Sequence, residues 1–279
     1  MRVSRSFSML VGAMAGAITS ANAQVVAPPP PPPPVEVTLT RLDCGNAAGP
    51  AEVARFSDTY AFPDLKVLLT YSCYLIRHGD EYMLWDAGHA VGSPLVRTTI
   101  VDQLTTLSLT PARIRFVGIS HYHGDHTGQA SAFPQATLLI GKGDWDVLSA
   151  PTPAQGINTA PFVPWLTGGG KVEPQAGDKK DVFGDGTVVM ISTPGHTPGH
   201  HSLLVRLKTA GAVLITGDLS HFRENYDDDG VPTFNVNRAD TKASIERFKR
   251  IAQNLKATVI IQHDARDIGK LPAFPAAAR

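Results

Sequence analysis

The sequence predicts an α/β fold with more strands than a simple doubly wound sheet would use. The first observation is a series of short apolar runs, rich in β-branched residues, that each end at a glycine or a polar turn, as buried strands do. The runs cover residues 67–76, 82–85, 114–119, 136–140, 187–191, 202–207, 212–215 and 257–261. The second observation is helical spacing of apolar residues between these runs, at 95–107 and 239–256, with a short helix expected at 128–133.

The clearest helix is the one at 239–256. Ile245, Phe248 and Ile251 recur there at helical spacing, with charged residues opposite, and Asn237 or Asp240 could cap its start. Residues 150–174 differ, because they are rich in proline and glycine. Such a segment is either a lid or binding loop or a plain surface excursion, and the sequence leaves both open.

The amino terminus has the pattern of an export signal. Arg2 and Arg5 precede an apolar stretch at 7–18, and the small residues Ala21 and Ala23 mark a cleavage site. We therefore expect a signal peptide at 1–23 and a periplasmic or secreted protein. An uncleaved anchor is the alternative, but the stretch is well short of the roughly 20 residues that cross a bilayer, so no stable membrane insertion is expected.

A proline run follows this signal, inside residues 24–35. Proline fixes φ and removes a backbone donor, so these residues are expected to form an extended spacer. A ligand for a proline-binding module is the alternative. The remaining residues, 36–279, have the length of one globular domain.

The charge balance and the cysteine content of the chain exclude some classes of partner and of metal site. The chain has 25 basic and 25 acidic residues and no basic run, so a nucleic-acid partner is not expected. The only two cysteines, Cys44 and Cys73, lie in apolar, strand-like stretches and are expected to be buried free thiols. One disulfide is the alternative in an oxidising compartment, and a cysteine-rich zinc module is excluded.

The chemistry-bearing segment is SHYHGDHTG, residues 120–128, directly after the predicted strand 114–119. Neutral imidazoles and carboxylates are the ligands that zinc and similar divalent metals take. His121 and His123 project to the same side of an extended segment, while Asp125 and His126 lie where the chain turns. The spacing therefore predicts one metal ion on the first pair and a second ion on the later pair.

Further candidate ligands stand after later strands. His196 follows the strand at 187–191, Asp218 follows that at 212–215, and His263 follows that at 257–261. The carboxyl ends of strands are where open sheets commonly place ligands. These residues complete two coordination spheres that leave room for water.

With the earlier segment LWDAG at 84–88, these motifs resemble those of the metallo-β-lactamase superfamily over residues 38–264. The resemblance implies a single-domain αββα sandwich in which Asp86 supports the metal site. It also implies two zinc ions, or other divalent metals, each held by three residues and bridged by one aspartate. The first ion would be held by His121, His123 and His196. The second would be held by Asp125, His126 and His263, with Asp218 bridging both.

Within the superfamily the segments GDLSHF, SCYLIR and QHDA are most similar to N-acyl-homoserine lactone lactonases. This implies a hydrolase that opens a small lactone or ester through a metal-bridging hydroxide, with Asp125 orienting the nucleophile and protonating the leaving group. Many such lactonases have a tyrosine three residues after the bridging aspartate, where this chain has His221. His221 could donate the same hydrogen bond, or Tyr226 could replace it.

Other functions stay open from sequence. A β-lactamase, a thioester hydrolase and a phosphotriester hydrolase share the superfamily's site, although true β-lactamases generally lack the aspartate that Asp218 supplies. A catalytically silent metal-binding protein is the non-enzyme alternative. The expected partner is a small-molecule substrate, and the chain could act as a monomer or a homodimer.

Overall fold

Strands and helices alternate along residues 35–279, the part of the chain that the computed structural model describes. The predicted signal peptide and all but the last residue of the predicted spacer lie outside these residues. In the described part, no helix has both the length and the apolar character needed to span a bilayer.

The first sheet has the strand order β1-β2-β3-β4-β5-β6. Its strands are β1 (Val37–Glu52), β2 (Lys66–His78), β3 (Glu81–Trp85), β4 (Ile114–Ile119), β5 (Thr137–Gly141) and β6 (Val172–Gln175). β1, β2 and β3 pair antiparallel, while β3 to β6 pair parallel. β4 is buried at every position but one, which explains its continuous apolar run.

The second sheet has the order β11-β10-β9-β8-β7. Its strands are β7 (Lys179–Asp181), β8 (Val188–Ser192), β9 (His201–Leu207), β10 (Gly211–Ile215) and β11 (Thr258–Ile260). β7 to β10 pair antiparallel, and β11 joins β10 in parallel. β8, β10 and β11 therefore run in one direction, and their carboxyl ends share one edge.

The helices lie between these strands in sequence. They are α1 (Ile100–Thr106), α2 (Gly124–Thr127), α3 (Lys142–Leu148), α4 (Val163–Leu166), α5 (Arg223–Asp227) and α6 (Arg238–Leu255). The Asn237 side chain caps α6, as expected, by accepting from two backbone N–H groups. Predicted helix 95–107 is shorter, because a capping box between Thr99 and Asp102 starts α1 at Ile100. The helix expected at 128–133 is only a 3₁₀ turn, Ala130–Ala132, and α2 precedes it.

Three apolar clusters define four layers. One lies between the two sheets and includes Trp85 and Met190. Another lies between the first sheet and its helices, and a third packs Phe248 of α6 against the second sheet. The order helix, sheet, sheet, helix is an αββα sandwich, which confirms the predicted fold class.

Most of the segment 150–174 is exposed or half-buried, as in a surface excursion, but two aromatic residues anchor it to the core. Phe162 and Trp165 are buried, and the Trp165 indole N–H donates to the carbonyl of Ala136 at 2.9 Å. Proline and glycine in this segment therefore accompany short helical turns that carry aromatic side chains inward.

The two cysteines form a disulfide, so the expectation of free thiols is wrong. Cys44 in β1 and Cys73 in β2 are bonded to each other, with 5.9 Å between their Cα atoms. Both are buried. Their strands pair antiparallel, and Cys44 lies at a register shift of β1, one residue beyond the Asp43–Ser72 pair.

Candidate metal centre

The candidate ligands gather where strands of both sheets end. His121 and His123 follow β4 of the first sheet. His196, Asp218 and His263 follow β8, β10 and β11 of the second. Because these strands end at the same edge of the sandwich, residues that are far apart in sequence converge.

The seven residues predicted as ligands form two groups of donors, and within each group the donor atoms lie within 4.8 Å of one another. The first donor group consists of His121, His123, His196 and Asp218. The second donor group consists of Asp125, His126 and His263. The structure therefore brings all of these residues together, whereas their role as metal ligands stays a prediction.

The nitrogens of the first donor group point at one another. His123 Nδ1 lies 2.9 Å from His121 Nε2 and 3.0 Å from His196 Nε2. In the second donor group the Nε2 atoms of His126 and His263 are 3.0 Å apart. Imidazole nitrogens that converge in this way can share a common cation.

Asp218 directs one carboxylate oxygen at each group. Its Oδ1 lies 2.9 Å from His126 Nε2 and 2.8 Å from His263 Nε2. Its Oδ2 lies 3.3 Å from His196 Nε2 and 3.6 Å from His121 Nε2. This is the geometry that a carboxylate bridging two ions needs.

The outer nitrogens of His263 and His196 are already hydrogen-bonded. His263 Nδ1 lies 2.8 Å from the carbonyl oxygen of Thr70, which can only accept, so this nitrogen carries the proton. His196 Nδ1 likewise meets Asn235 Oδ1 at 2.7 Å, and the amide of Asn235 is oriented by its donation to Thr241. The inner nitrogens are then lone-pair donors that converge, and the residues present fit divalent cations.

Asp86 supports the second donor group, as expected from the LWDAG segment. Its Oδ2 accepts from His126 Nδ1 at 2.8 Å and from Gln262 Nε2 at 2.7 Å. Its Oδ1 accepts from the backbone N–H of Ser120 at 2.7 Å. The backbone of Asp86 has a φ of +58°, an unusual value for a non-glycine residue that these contacts hold in place.

Burial and charge set the protonation of the centre. Burial lowers the pKa of His121 well below its usual value, and the charge of His126 lowers it further. For His126, burial alone would lower the pKa, but the carboxylates of Asp218 and Asp125 outweigh it and raise the pKa well above its usual value. Burial would raise the pKa of Asp218, but the charges of His263 and His126 keep this carboxyl ionised.

His221 lies at the centre but is turned toward Asp218. Its Nε2 is 3.1 Å from Asp218 Oδ2, and its ring stacks on that of His263 at a centroid distance of 5.6 Å. Its Nδ1 is buried and has no hydrogen-bond partner among the described residues. With the His221 side chain almost fully buried, the contact that the structure provides is to the Asp218 carboxylate.

Tyr226 does not join the centre, which corrects its proposed catalytic role. Its ring packs against Phe248 of α6 at 6.2 Å, and the Lys249 ammonium lies 5.0 Å from the ring centroid. The half-buried tyrosine thus belongs to the layer between the second sheet and α6. Position 226 lies in α5, which directs the side chain toward that layer.

Tyr71 and His200 also lie at the centre, but neither belongs to a sequence motif that would predict this position. Tyr71 lies edge-on to His263, with ring centroids 5.4 Å apart, and burial together with Asp125 and Asp218 raises its pKa to about 12. His200 Nε2 accepts the backbone N–H of Asp218 at 2.9 Å. Such partners are chosen by tertiary contacts and not by local spacing.

An aromatic wall, Phe56 and Phe234, borders the centre. Phe56 lies 4.5 Å from the His221 ring, and Phe234 lies 5.9 Å from the His196 ring and is half exposed. The segments carrying them are joined by an ion pair between Asp58 and Arg238. The wall places an apolar surface beside polar donors, as ligand pockets commonly do.

An αββα sandwich with two facing donor groups at one edge is the architecture of dinuclear metallohydrolases. The family model described as the metallo-beta-lactamase superfamily matches residues 68–263, a range that contains all the candidate ligands. The chain belongs to the metallo-β-lactamase superfamily.

Individual relatives agree with this assignment. The chain is 33% identical over 178 residues to the N-acyl homoserine lactonase AttM of Rhizobium radiobacter, an alignment that covers 59% of this chain and 63% of that protein. The chain therefore matches less than two thirds of the length of that relative.

Solved structures show the same fold. A quorum-quenching N-acyl homoserine lactone lactonase superposes with a TM-score of 0.72 at 23% identity, covering 88% of this chain and 98% of that one. AidC, described as a dizinc quorum-quenching lactonase in complex with a product, superposes with a TM-score of 0.64 at 18% identity, covering 87% and 90%.

Proposed function

We propose that this protein is a dinuclear zinc hydrolase that opens N-acyl-homoserine lactones or closely related lactones. The observation that carries the proposal is Asp218, whose two oxygens face different donor groups. Relatives named N-acyl homoserine lactonases support the choice of substrate class. Zinc is proposed because imidazole and carboxylate donors suit it, although other divalent metals accept the same donors.

In this hydrolysis, the metal ions and the residues of the chain would have separate roles. Bound divalent ions polarise an ester carbonyl and increase the acidity of water. Asp125 is the most exposed carboxylate of the centre, with 24% of its side chain accessible, so it can reach a substrate. It accepts a proton from the attacking water and returns it to the ring oxygen as the carbon–oxygen bond breaks. The products are a carboxylate and a free hydroxyl on the same molecule.

The surroundings of the centre orient these groups. Asp86, Asn235 and the carbonyl of Thr70 hold the histidines in one tautomer, so their inner nitrogens face inward without rearrangement. The aromatic wall offers an apolar surface to the acyl part of a substrate, while the polar centre takes the lactone carbonyl.

We also propose that the protein is exported. The predicted signal peptide supports this location, and so does the Cys44–Cys73 disulfide, because disulfides persist mainly in oxidising compartments. Expression of the full chain with a carboxyl-terminal tag, followed by fractionation and amino-terminal sequencing, tests the proposal. A mature chain beginning at Gln24 is expected, and a full-length cytoplasmic product would refute it.

An activity panel on zinc-loaded protein tests the hydrolase proposal. It compares N-acyl-homoserine lactones with an aryl ester, nitrocefin, a glutathione thioester and paraoxon, and it follows the acid released per ring opened. We expect lactones to be the preferred substrates. Preference for nitrocefin, the thioester or paraoxon would move the function to that hydrolase class.

Two variants separate an enzyme from a silent metal-binding protein. His123→Ala and Asp218→Ala should lose bound metal and turnover together, as measured by mass spectrometry and by the same panel. Wild-type protein that binds two equivalents of zinc and hydrolyses none of the panel would overturn the proposal.

A further inference from the structure

Asp144 is a fully buried carboxyl close to the centre that is not one of the candidate ligands. It lies in the first turn of α3, and its side chain accepts three hydrogen bonds. Oδ1 accepts from the backbone N–H of Gly199 at 2.6 Å. Oδ2 accepts from the Thr197 hydroxyl at 2.8 Å and from the backbone N–H of Tyr122 at 3.1 Å.

The three donors belong to the two loops that carry histidines of the first donor group. Tyr122 stands between His121 and His123, after β4 of the first sheet. Thr197 directly follows His196, in the loop between β8 and β9 of the second sheet. One carboxyl therefore connects ligand loops from both sheets.

Close backbone packing makes this connection possible. A Cβ atom at Gly141 would lie 1.8 Å from the carbonyl oxygen of Gly199, and one at Gly143 would lie 2.7 Å from the carbonyl carbon of Pro198. The start of α3 is thus pressed against the loop that follows His196, and only residues without a side chain permit that approach.

The buried position of Asp144 is energetically unfavourable for a charged carboxylate. Within residues 35–279, Asp144 forms no ion pair with a lysine, arginine or histidine. Burial raises its pKa to about 7, although the three hydrogen bonds act in the opposite direction. A buried carboxyl without a counterion lowers stability unless its hydrogen bonds offset the loss of hydration.

We propose that Asp144 is a positioning residue for the first metal ion. By accepting from the backbone N–H groups of Tyr122 and Gly199 and from the Thr197 hydroxyl, it fixes the separation between the two ligand loops. One cation can then contact the rings of His121, His123 and His196. The proposal rests on metal binding as put forward in the proposed function, and it does not depend on the identity of the substrate.

The variant Asp144→Asn tests this role in the full chain loaded with zinc. Asparagine has one accepting oxygen, so the N–H of Tyr122 or of Gly199 loses its partner while the side-chain volume stays the same. We expect one of the two ions to be released at a chelator concentration roughly 10- to 100-fold lower than in wild type. The second ion, held by the second donor group, should be retained as in wild type.

Metal content after dialysis against graded chelator is the readout, supported by the visible absorption of the Co²⁺-loaded protein. Asp146→Asn is the matched control, because Asp146 lies in the same helix and forms an exposed ion pair with Lys142. It should release both ions as wild type does. Thr197→Val removes one of the three donors and should shift release of the same ion by a smaller factor.

Loss of thermal stability in Asp144→Asn with unchanged release of both ions would show a purely structural role and overturn the proposal. If Asp144→Asn does not fold, wild-type release by Thr197→Val overturns it instead. Wild type that binds two ions and opens no lactone would refute the proposed function alone. Wild type that binds no ion would refute both.

Discussion

Asp218 connects the two donor groups because its carboxylate oxygens face opposite ways. A single side chain can do this only if its backbone is held, and His200 holds it through the N–H of Asp218 at 2.9 Å. His221 adds a contact on Oδ2. The orientation of Asp218 thus depends on histidines that are not themselves among the candidate ligands.

His221→Phe tests whether this histidine acts on Asp218 or on substrate. Phenylalanine keeps the stacked ring and removes both the Asp218 contact and the unpartnered Nδ1. We expect metal affinity to fall about 10-fold or more, in the range for lost supporting contacts of ligands, and turnover to fall with it. Chelator titration and steady-state kinetics measure the two effects.

His78→Gln serves as the control. His78 is the last residue of β2, away from Thr70, which contacts His263, and its side chain contacts Asp185. It should change neither measurement. A rise in KM of His221→Phe with unchanged metal affinity would instead indicate that His221 contacts the substrate.

Metal binding should release protons. The carboxylates of Asp218 and Asp125 outweigh burial and raise the pKa of His126 well above its usual value, and Asp218 also raises that of His263 despite burial. A protonated imidazole cannot donate its lone pair, so an ion that binds the second donor group must displace protons. Affinity for zinc therefore increases with pH, with a clear gain from about pH 6 to about pH 8.

Calorimetric zinc titration in two buffers of different ionisation enthalpy measures the proton release directly. Asp86→Asn removes a charge that favours protonated His126 and should reduce the number released. A binding enthalpy independent of the buffer would contradict the prediction.

At the scale of elements, strand ends build the centre and two surface segments shape its surroundings. The loop after Phe56 and the start of α6 are tied together by the ion pair between Asp58 and Arg238. The segment before α6 supplies Asn235 to His196 and exposes Phe234. One short segment therefore supports a candidate ligand and lines its surroundings.

Phe234→Ala should change the preference for acyl chains, given the proposed function. Removing the half-exposed ring takes apolar surface away from a long chain but leaves the polar centre in place. We expect kcat/KM for a long-chain lactone to fall about 10-fold, the range for apolar-pocket discrimination, with little change for a short-chain lactone.

Val236→Ala is the matched control, because Val236 is also exposed and lies in the same segment. Kinetics on a series of chain lengths compares the two variants. An equal loss of kcat/KM at every acyl-chain length would show that Phe234 does not contact the acyl chain.

At the scale of the whole molecule, the sandwich is held by cores on both sides of each sheet and by one covalent link. The Cys44–Cys73 disulfide joins β1 and β2 and packs under the turn that carries Asp86. A Cβ atom at Gly88, where φ is +57°, would lie 2.8 Å from Cys44 Sγ. The disulfide therefore packs against the turn whose Asp86 accepts a hydrogen bond from His126.

The double variant Cys44→Ser/Cys73→Ser should lower the free energy of unfolding by about 2–4 kcal/mol, because the unfolded chain regains its freedom. Urea unfolding of metal-loaded protein measures the difference. Wild type treated with reductant should approach the variant, and identical unfolding midpoints in all samples would contradict the prediction.

Much of the fold and the centre follows from local pattern. Buried strands have continuous apolar sequences, so the α/β class was predictable. An HxHxDH segment is typical of metal sites, so the seven clustered residues were predictable as well. Tyr226 shows the limit of that reasoning. Nearness to Asp218 in sequence does not decide position, because α5 turns the ring toward α6.

By itself, then, the sequence determined eight of the eleven described strands, β2 to β5 and β8 to β11, and which side chains can bind metal, since both depend on local periodicity and residue chemistry. The strands β1, β6 and β7 were not among the predicted apolar runs. Only the tertiary structure decided that the two cysteines pair, that His221 faces Asp218, and that Asp144 joins two ligand loops. Those contacts bring together residues separated by many positions, and the packing of two sheets, not their local spacing, sets the distances between them.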